Sequence, residues 1–293
     1  MKSTSIVIPC FNESRAIEST IRDIFSHLKK HENQCTDVIV INDGSKDGSK
    51  ELLDQLAADL QSEPFRVVHH SRNLGYGAAL KTGIRRSNAD LICITDADGT
   101  YPNHRIPELI TSAFQHDMVV GARTGEDVDY STIRSIPKLI LVPWVSFLCG
   151  SNVPDMNSGL RVFRRDLAMK FLSLLPDGFS FTTTITICML RNRHDVLFVP
   201  ISYTKRIGKS HIKPIRDTAR FVQLIARTGM YFAPMRLLTP VAVFFGVLFV
   251  LSSAHDVFIL NDLTDKTILL AFITLNVMMF ALLADMIDKR SAH

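Results

Sequence analysis

Apolar residues along the chain sort into short runs of strand length, separated by stretches with helical spacing. Ser5-Ile6-Val7-Ile8-Pro9 is such a run, and Ile17, Ile21, Ile24, Phe25 and Leu28 then recur at helical intervals between about Ser14 and Lys30. Asp37 to Ile41 predicts a second strand, ending in Asn42-Asp43-Gly44-Ser45, and a helix from Asp47-Gly48-Ser49 through Leu60 follows it. Phe65 to Val68 predicts a third strand, after which Asn73-Leu74-Gly75-Tyr76-Gly77 opens a helix carrying Ala78, Ala79, Leu80 and Ile84. Leu91 to Thr95, Met118 to Gly121 and Val196 to Ile201 predict further strands. Strands of four to six residues alternating with helices of ten to sixteen imply an α/β fold with a doubly wound, mostly parallel sheet.

The pattern changes after Arg236. Leu237–Ala254 and Thr267–Ala284 are each eighteen residues without a charge. At 1.5 Å per residue each makes ~27 Å of helix, close to the ~30 Å hydrocarbon core of a bilayer. The link between them carries Asp256, Asp262 and Asp265 against Lys266, while Arg216, Arg220, Arg227 and Arg236 precede the pair and Lys289 and Arg290 follow it. This asymmetry puts both ends, and the whole N-terminal part, on the cytoplasmic side of a two-span hairpin. Before the hairpin, Arg216, Arg220, Gln223 and Arg227 fall on one helical stripe, and Ile215, Phe221, Val222, Leu224 and Ile225 cover the other side. A basic stripe beside an apolar face predicts an amphipathic helix lying on anionic headgroups. The expected organisation is an α/β domain over 1–212, a juxtamembrane helix over 213–236, the hairpin over 237–286 and a tail over 287–293. Ile136 to Leu148, apolar but interrupted by Lys138 and Pro143, predicts a helix resting on the membrane near the site.

Composition adds exclusions. Lys and Arg exceed Asp and Glu by only 33 to 29, too small an excess to imply nucleic acid. Five scattered cysteines without a C-x-x-C pair read as buried cytosolic thiols. Met1-Lys2-Ser3-Thr4 runs straight into a strand without the apolar region of a signal peptide.

In a parallel sheet the carboxyl ends of the strands gather ligands. Three of the predicted strand ends deliver polar groups to that edge: Asn12 and Glu13, then Asp43, then Asp96 and Asp98. Two hard oxygen ligands one residue apart suit a divalent cation that also holds phosphates, and a solvated acidic turn is the plain alternative. The turn at Gly75-Tyr76-Gly77 is no dinucleotide fingerprint. It reads either as a source of backbone N–H groups for an anion or as a simple tight turn.

Pro9…Asn12-Glu13, Asp43-Gly44-Ser45, Asn73-x-Gly75-x-Gly77-Ala78-Ala79, Asp96-Ala97-Asp98 and Gly121-Ala122-Arg123 occur in this order. With them the chain resembles family 2 glycosyltransferases of the GT-A fold, over roughly residues 4–212. Asp155-x-x-Ser158-Gly159-x-Arg161-x-Phe163-Arg164-Arg165 and Arg206-x-Gly208-Lys209-Ser210 look like the dolichol- and polyprenyl-phosphate sugar synthases. The sequence departs from the family at Asn42, where many relatives have Asp, at Thr100, where some have Gln, and at Thr182–Thr184, where Glu is common. It has no Gln-x-x-Arg-Trp, and its one tryptophan, Trp144, lies in an apolar segment, unlike a processive polysaccharide synthase.

The resemblance implies transfer of a sugar from a nucleotide sugar, UDP-hexose in preference to GDP-mannose, to a membrane polyprenyl phosphate, with inversion. It implies Mg²⁺ or Mn²⁺ on Asp96 and Asp98, and a donor-nucleotide site of Pro9, Phe11, Glu13, Asp43, Gly75, Lys81 and Asp96. Arg123, Arg134, Arg206 and Lys209 become the acceptor-phosphate cations, and Asp98, Asp155 and Arg206 the catalytic set. Asp155 would orient the sugar or these cations, with a base role open. A homo-oligomer is left open. Two competing readings are a sugar-nucleotide nucleotidyltransferase, which would need no access to lipid, and an inactive membrane-anchored scaffold.

Overall fold

The computed structural model describes residues 2–29, 37–125, 143–178, 180–204, 223, 226, 229–230 and 233–291. In chain order these form β1 (Thr4–Cys10), α1 (Ile17–Leu28), β2 (Asp37–Asn42), α2 (Ser49–Asp59), β3 (Phe65–His69), α3 (Tyr76–Arg86), β4 (Leu91–Ile94), α4 (Ile106–Ser112) and β5 (Met118–Ala122). There follow α5 (143–149), β6 (Arg161–Arg164), α6 (Arg165–Phe171), α7 (Phe181–Arg191), β7 (Val196–Pro200), α8 (Pro234–His255) and α9 (Asp265–Ser291).

The seven strands make one sheet in the order β3-β2-β1-β4-β6-β5-β7. β6 alone runs against its neighbours β4 and β5, and every other pairing is parallel. Strands buried on both faces carry unbroken apolar runs, and all seven residues of β1 are buried. Because side chains alternate, Ile6 and Ile8 join Ile17, Ile21 and Ile24 of α1 and Leu53 and Leu56 of α2 in one core, while Val7 points to the opposite face and meets Gly83 of α3. The α/β, mostly parallel architecture is the expected one. β6 was not expected: Arg161-Val162-Phe163-Arg164 has a charge at each end, so its apolar pattern is too short to read as a central strand.

The chain divides into two compact units, residues 1–142 with 153–214 and residues 143–152 with 215–293. In the second unit the Arg236 guanidinium donates to the Phe147 carbonyl at 3.1 Å and the Leu148 carbonyl at 3.3 Å, tying α5 to the start of α8. Residues 134, 206 and 209, and most of 213–232, lie outside the described residues, so the amphipathic-helix expectation falls there too.

Two helical stretches, Pro234–Leu260 and Asp265–Ile287, are long and apolar enough to cross a membrane. Their apolar side chains face outward, with Leu251 63% and Leu275 65% exposed. The link between them is shorter than the sequence suggests, because α8 runs on as a π-helical turn through Asp256–Leu260. Asp256 is therefore not a solvated loop charge. Its buried carboxylate accepts from the Thr264 amide at 2.9 Å and from the hydroxyls of Thr264 (2.6 Å) and Thr267 (2.7 Å), capping the start of α9.

Candidate active site

β1 and β4 lie side by side, with β2 and β3 beyond β1 and the later strands beyond β4. Their carboxyl ends thus flank the point where the strand order reverses, the position at which open α/β sheets bind ligands. The loop after β1 is stitched to the loop after β2. Asn12, at φ 56°, donates its amide to Ser45 Oγ (2.9 Å) and accepts from the Lys46 amide (2.8 Å), and the Glu13 amide donates to Ser49 Oγ (3.1 Å). The Glu13 carbonyl in turn accepts from the amides of Ala16 and Ile17, starting α1. Pro9 is buried inside β1 opposite Ile41. Phe11, one residue past β1, is half-buried.

Asp43 follows β2 and is only 3% exposed. Its carboxylate accepts from the amides of Leu74 (2.9 Å) and Gly75 (2.8 Å) and contacts His70 Nδ1 at 2.8 Å, and His70 Nε2 lies 2.9 Å from Thr82 Oγ1. Asp43 therefore pins the turn before α3. The glycines of that turn have a packing use. A Cβ on Gly75 would stand 2.4 Å from the Asp177 carbonyl oxygen and one on Gly77 2.1 Å from that of Pro176. The Ala78 amide already donates to the Asp177 carbonyl at 3.1 Å, and Lys81 Nζ reaches Asp177 Oδ1 at 2.8 Å. The Leu74, Gly75 and Ala78 amides thus have protein partners, and the glycines admit a second chain segment at close approach.

Asp96 and Asp98 follow β4. The Tyr76 hydroxyl donates to Asp96 Oδ1 at 3.0 Å. Burial first, and the Asp96 charge second, push the Tyr76 phenol well above its usual range, so it remains a neutral donor. The Asp98 carboxylate, 8% exposed, accepts from the Thr100 hydroxyl (2.7 Å) and amide (3.2 Å) across Gly99, whose φ of 70° closes the turn. Thr100 thus serves Asp98 from within the chain, and the Thr100 carbonyl is held by the Thr204 amide at 3.1 Å. Two fixed carboxylates suit a hard divalent cation, which keeps several waters and completes its shell with phosphate oxygens. Among the described residues there is no cluster of three or more His, Cys, Asp or Glu that could hold a metal without such help.

Arg123 stands at the end of β5 on the same sheet edge. Its Nε and Nη2 donate to the two oxygens of Asp155 at 2.7 and 3.0 Å, and the amides of Arg123 and Asn157 donate to the same carboxylate, both at 3.1 Å. Burial works to raise the Asp155 carboxyl, but the Arg123 hydrogen bonds and charge prevail and hold it below the usual carboxylate range. An anion so occupied orients a cation and makes a poor proton acceptor. The Arg123 guanidinium also lies 5.1 Å over the Tyr203 ring, which packs edge-on against Tyr101 at 5.2 Å.

Sequence reasoning passed over Tyr76, Tyr101, Tyr203 and His70, since a single aromatic or histidine near a turn carries no signal of what it will face. Arg161 stood out only as a member of a motif. It is fully buried, donating to the carbonyls of Ser158 (3.0 Å) and Thr182 (2.9 Å) and to Thr186 Oγ1 (2.9 Å). Burial lowers this guanidinium to about 10, still charged at neutral pH. Thr182–Thr184 are buried in α7, where Thr182 receives Arg161 and the Thr183 hydroxyl donates to Asn157 Oδ1 at 2.6 Å, so they support the 155–161 segment.

Residues 5–172 match the model of the family described as Glycosyl transferase family 2. The chain is 31% identical over 255 residues to an undecaprenyl-phosphate 4-deoxy-4-formamido-L-arabinose transferase of Pseudomonas savastanoi pv. phaseolicola, covering 87% of this chain and 73% of that one. It is 26% identical over 213 residues to an undecaprenyl-phosphate mannosyltransferase of Micrococcus luteus, covering 70% and 85% of the two. Its fold is similar to that of glucosyl-3-phosphoglycerate synthase from Mycobacterium tuberculosis, solved with Mn²⁺ and UDP, at a TM-score of 0.56 and 19% identity over 78% of this chain and 80% of the other. With its family model on the strands and loops that carry Asp43, Asp96, Asp98 and Arg123, the chain belongs to glycosyl transferase family 2.

Proposed function

We propose that the protein transfers a sugar from a nucleoside diphosphate to the phosphate of a membrane polyprenol. The observation that carries this reading is one sheet edge with two held carboxylates, Asp96 and Asp98, and a cation, Arg123, itself held by Asp155. Support for the acceptor comes from the relatives named for undecaprenyl-phosphate transfer and from the two membrane-length helices.

In this mechanism a lipid-phosphate oxygen attacks the anomeric carbon as the bond to the donor's diphosphate breaks, and the nucleoside diphosphate departs. One displacement inverts the anomeric centre. A phosphate monoester with a second pKa near ~6 is largely dianionic at neutral pH, so the nucleophile needs no general base. The depressed Asp155 carboxyl is consistent with that economy. Its task is to present Arg123, whose fork is suited to an incoming phosphate. Arg134, Arg206 and Lys209 are the further acceptor cations of this reading. Asp96 and Asp98 would hold Mg²⁺ or Mn²⁺, which when bound neutralises charge on the diphosphate leaving group. Asp43 would act on the donor by fixing the 74–75 turn, and Glu13 and Phe11 are the nucleoside contacts of this reading.

Incubating the purified protein with polyprenyl phosphate and a panel of sugar nucleotides tests the reaction. Labelled sugar is expected in the lipid phase, matched by released nucleoside diphosphate. Pyrophosphate release from a nucleoside triphosphate and a sugar phosphate, with no lipid product, would instead identify a nucleotidyltransferase.

The same reading places the N-terminal unit in the cytoplasm and the hairpin turn across the membrane. Asn261 has a positive φ of 57°, so a probe cysteine is better placed at the exposed Asp262. Asp262→Cys is expected to react with an impermeant maleimide only from the non-cytoplasmic face of sealed vesicles. Reaction from the cytoplasmic face would refute the two-span topology.

A further inference from the structure

Tyr76 belongs to none of the groups that hold donor, acceptor or metal in the proposed reaction, yet the fold fixes it with unusual care. It opens α3 directly after Gly75, whose φ of 107° is inaccessible to most residues and whose amide is bound by Asp43 at 2.8 Å. On the other side the segment Pro176–Gly178 lies so close that neither Gly75 nor Gly77 could carry a Cβ. The backbone that carries the phenol is thus immobilised from both sides, and the phenol donates to Asp96 Oδ1 at 3.0 Å. Across the same carboxylate stands Gly159. A Cβ there would lie 2.8 Å from Asp96 Oδ2 and 2.9 Å from Oδ1. The Gly159 peptide is itself held, its amide donating to the Tyr101 hydroxyl at 2.6 Å.

We infer that Tyr76 is a positioning residue for the divalent cation: its phenol and the Gly159 backbone clamp the Asp96 carboxylate in the orientation that takes the metal. This rests on the metal reading of Asp96 and Asp98. An ionised carboxylate has about four acceptor positions, so one neutral phenol donor fixes its rotation without discharging it. A ligand already fixed loses less freedom when the cation arrives, which is why partners behind a metal ligand typically change affinity ~10- to 100-fold.

The test is a Mn²⁺ titration of the full chain in detergent with UDP present, followed by the paramagnetic signal of free Mn²⁺. Saturable binding to the unaltered protein is the first expected result, and its absence would remove the metal reading and this inference together. Tyr76→Phe deletes one oxygen and is expected to weaken Mn²⁺ binding ~10- to 100-fold, leaving UDP affinity in EDTA and the melting temperature nearly unchanged. Should that variant fail to fold, Gly159→Ala pushes on the same carboxylate without touching the ring and is expected to weaken Mn²⁺ at least ~10-fold. Unaltered Mn²⁺ affinity in either folded variant overturns the clamp while leaving the metal reading intact. Loss of UDP affinity in EDTA on Tyr76→Phe would also overturn it, because Asp96 would then serve the nucleoside.

Discussion

Asp98→Asn is expected to lower the transfer rate by ~10²- to 10³-fold while the protein stays folded. The asparagine oxygen can still accept from the Thr100 amide and hydroxyl, the two donors that close the turn across Gly99. What disappears is the negative charge that a divalent cation needs from its ligands. Lost leaving-group stabilisation on the order of 3–4 kcal/mol corresponds to that change in rate. Chelation with EDTA should reproduce the loss in the unaltered protein, and added Mn²⁺ or Mg²⁺ should reverse it. Initial rates of lipid-linked sugar formation measure both effects. Full activity of the variant, or of the chelated protein, would sink the assignment of Asp98 to the metal.

Arg161→Met is expected to cost about 3–5 kcal/mol of stability, the largest loss anticipated for a residue outside the reaction itself. The guanidinium lies inside the fold and distributes its protons to the Ser158 and Thr182 carbonyls and to Thr186 Oγ1. Methionine fills much of the volume but offers none of those donors. Each acceptor left dry costs ~1–3 kcal/mol, less where it has another partner, as Thr182 does in the Thr186 hydroxyl. Arg161→Lys should recover little, because one ammonium cannot reproduce a fork directed at three acceptors. For a unit of this size such a loss lowers the melting temperature by roughly 6–20 °C, readable by near-ultraviolet circular dichroism in detergent. A shift of less than about 2 °C would mean that water or a rearranged α7 satisfies those carbonyls.

The consequences for the site follow from where Arg161 sits. It begins the one antiparallel strand and braces the segment that brings Asp155 to Arg123 and Gly159 to Asp96. Activity of Arg161 variants should therefore fall with stability.

How much of this was legible in the sequence depends on the range of the interaction involved. The alternation of short apolar runs with helical stretches predicted β1 to β5, β7 and the helices α1, α2 and α3, because burial on both faces of a parallel sheet leaves a continuous local pattern, whereas α4, α6 and α7 were not read from it. The polar residues at the ends of β1, β2 and β4 followed from the same pattern, as did two helices of membrane length. β6 was invisible, since its neighbours in the sheet are β4 and β5, far away in the chain, and its own four residues alternate too briefly to announce a strand.

The residue types on the site's edge were set by the sequence alone: two carboxylates after β4, one after β2, an arginine after β5. Their tasks were not. Arg123 meets Asp155 across 32 positions, Tyr76 meets Asp96 across 20, and the Gly75-Tyr76-Gly77 turn meets a chain segment a hundred residues further on. Tertiary packing decided that Asp43 grips a turn, that Asp155 holds a cation, and that the glycines make room for Pro176–Gly178. The physical reason is that a side chain's hydrogen-bond capacity is a local property, whereas its partner is fixed by which distant segments the hydrophobic core brings within about 3 Å.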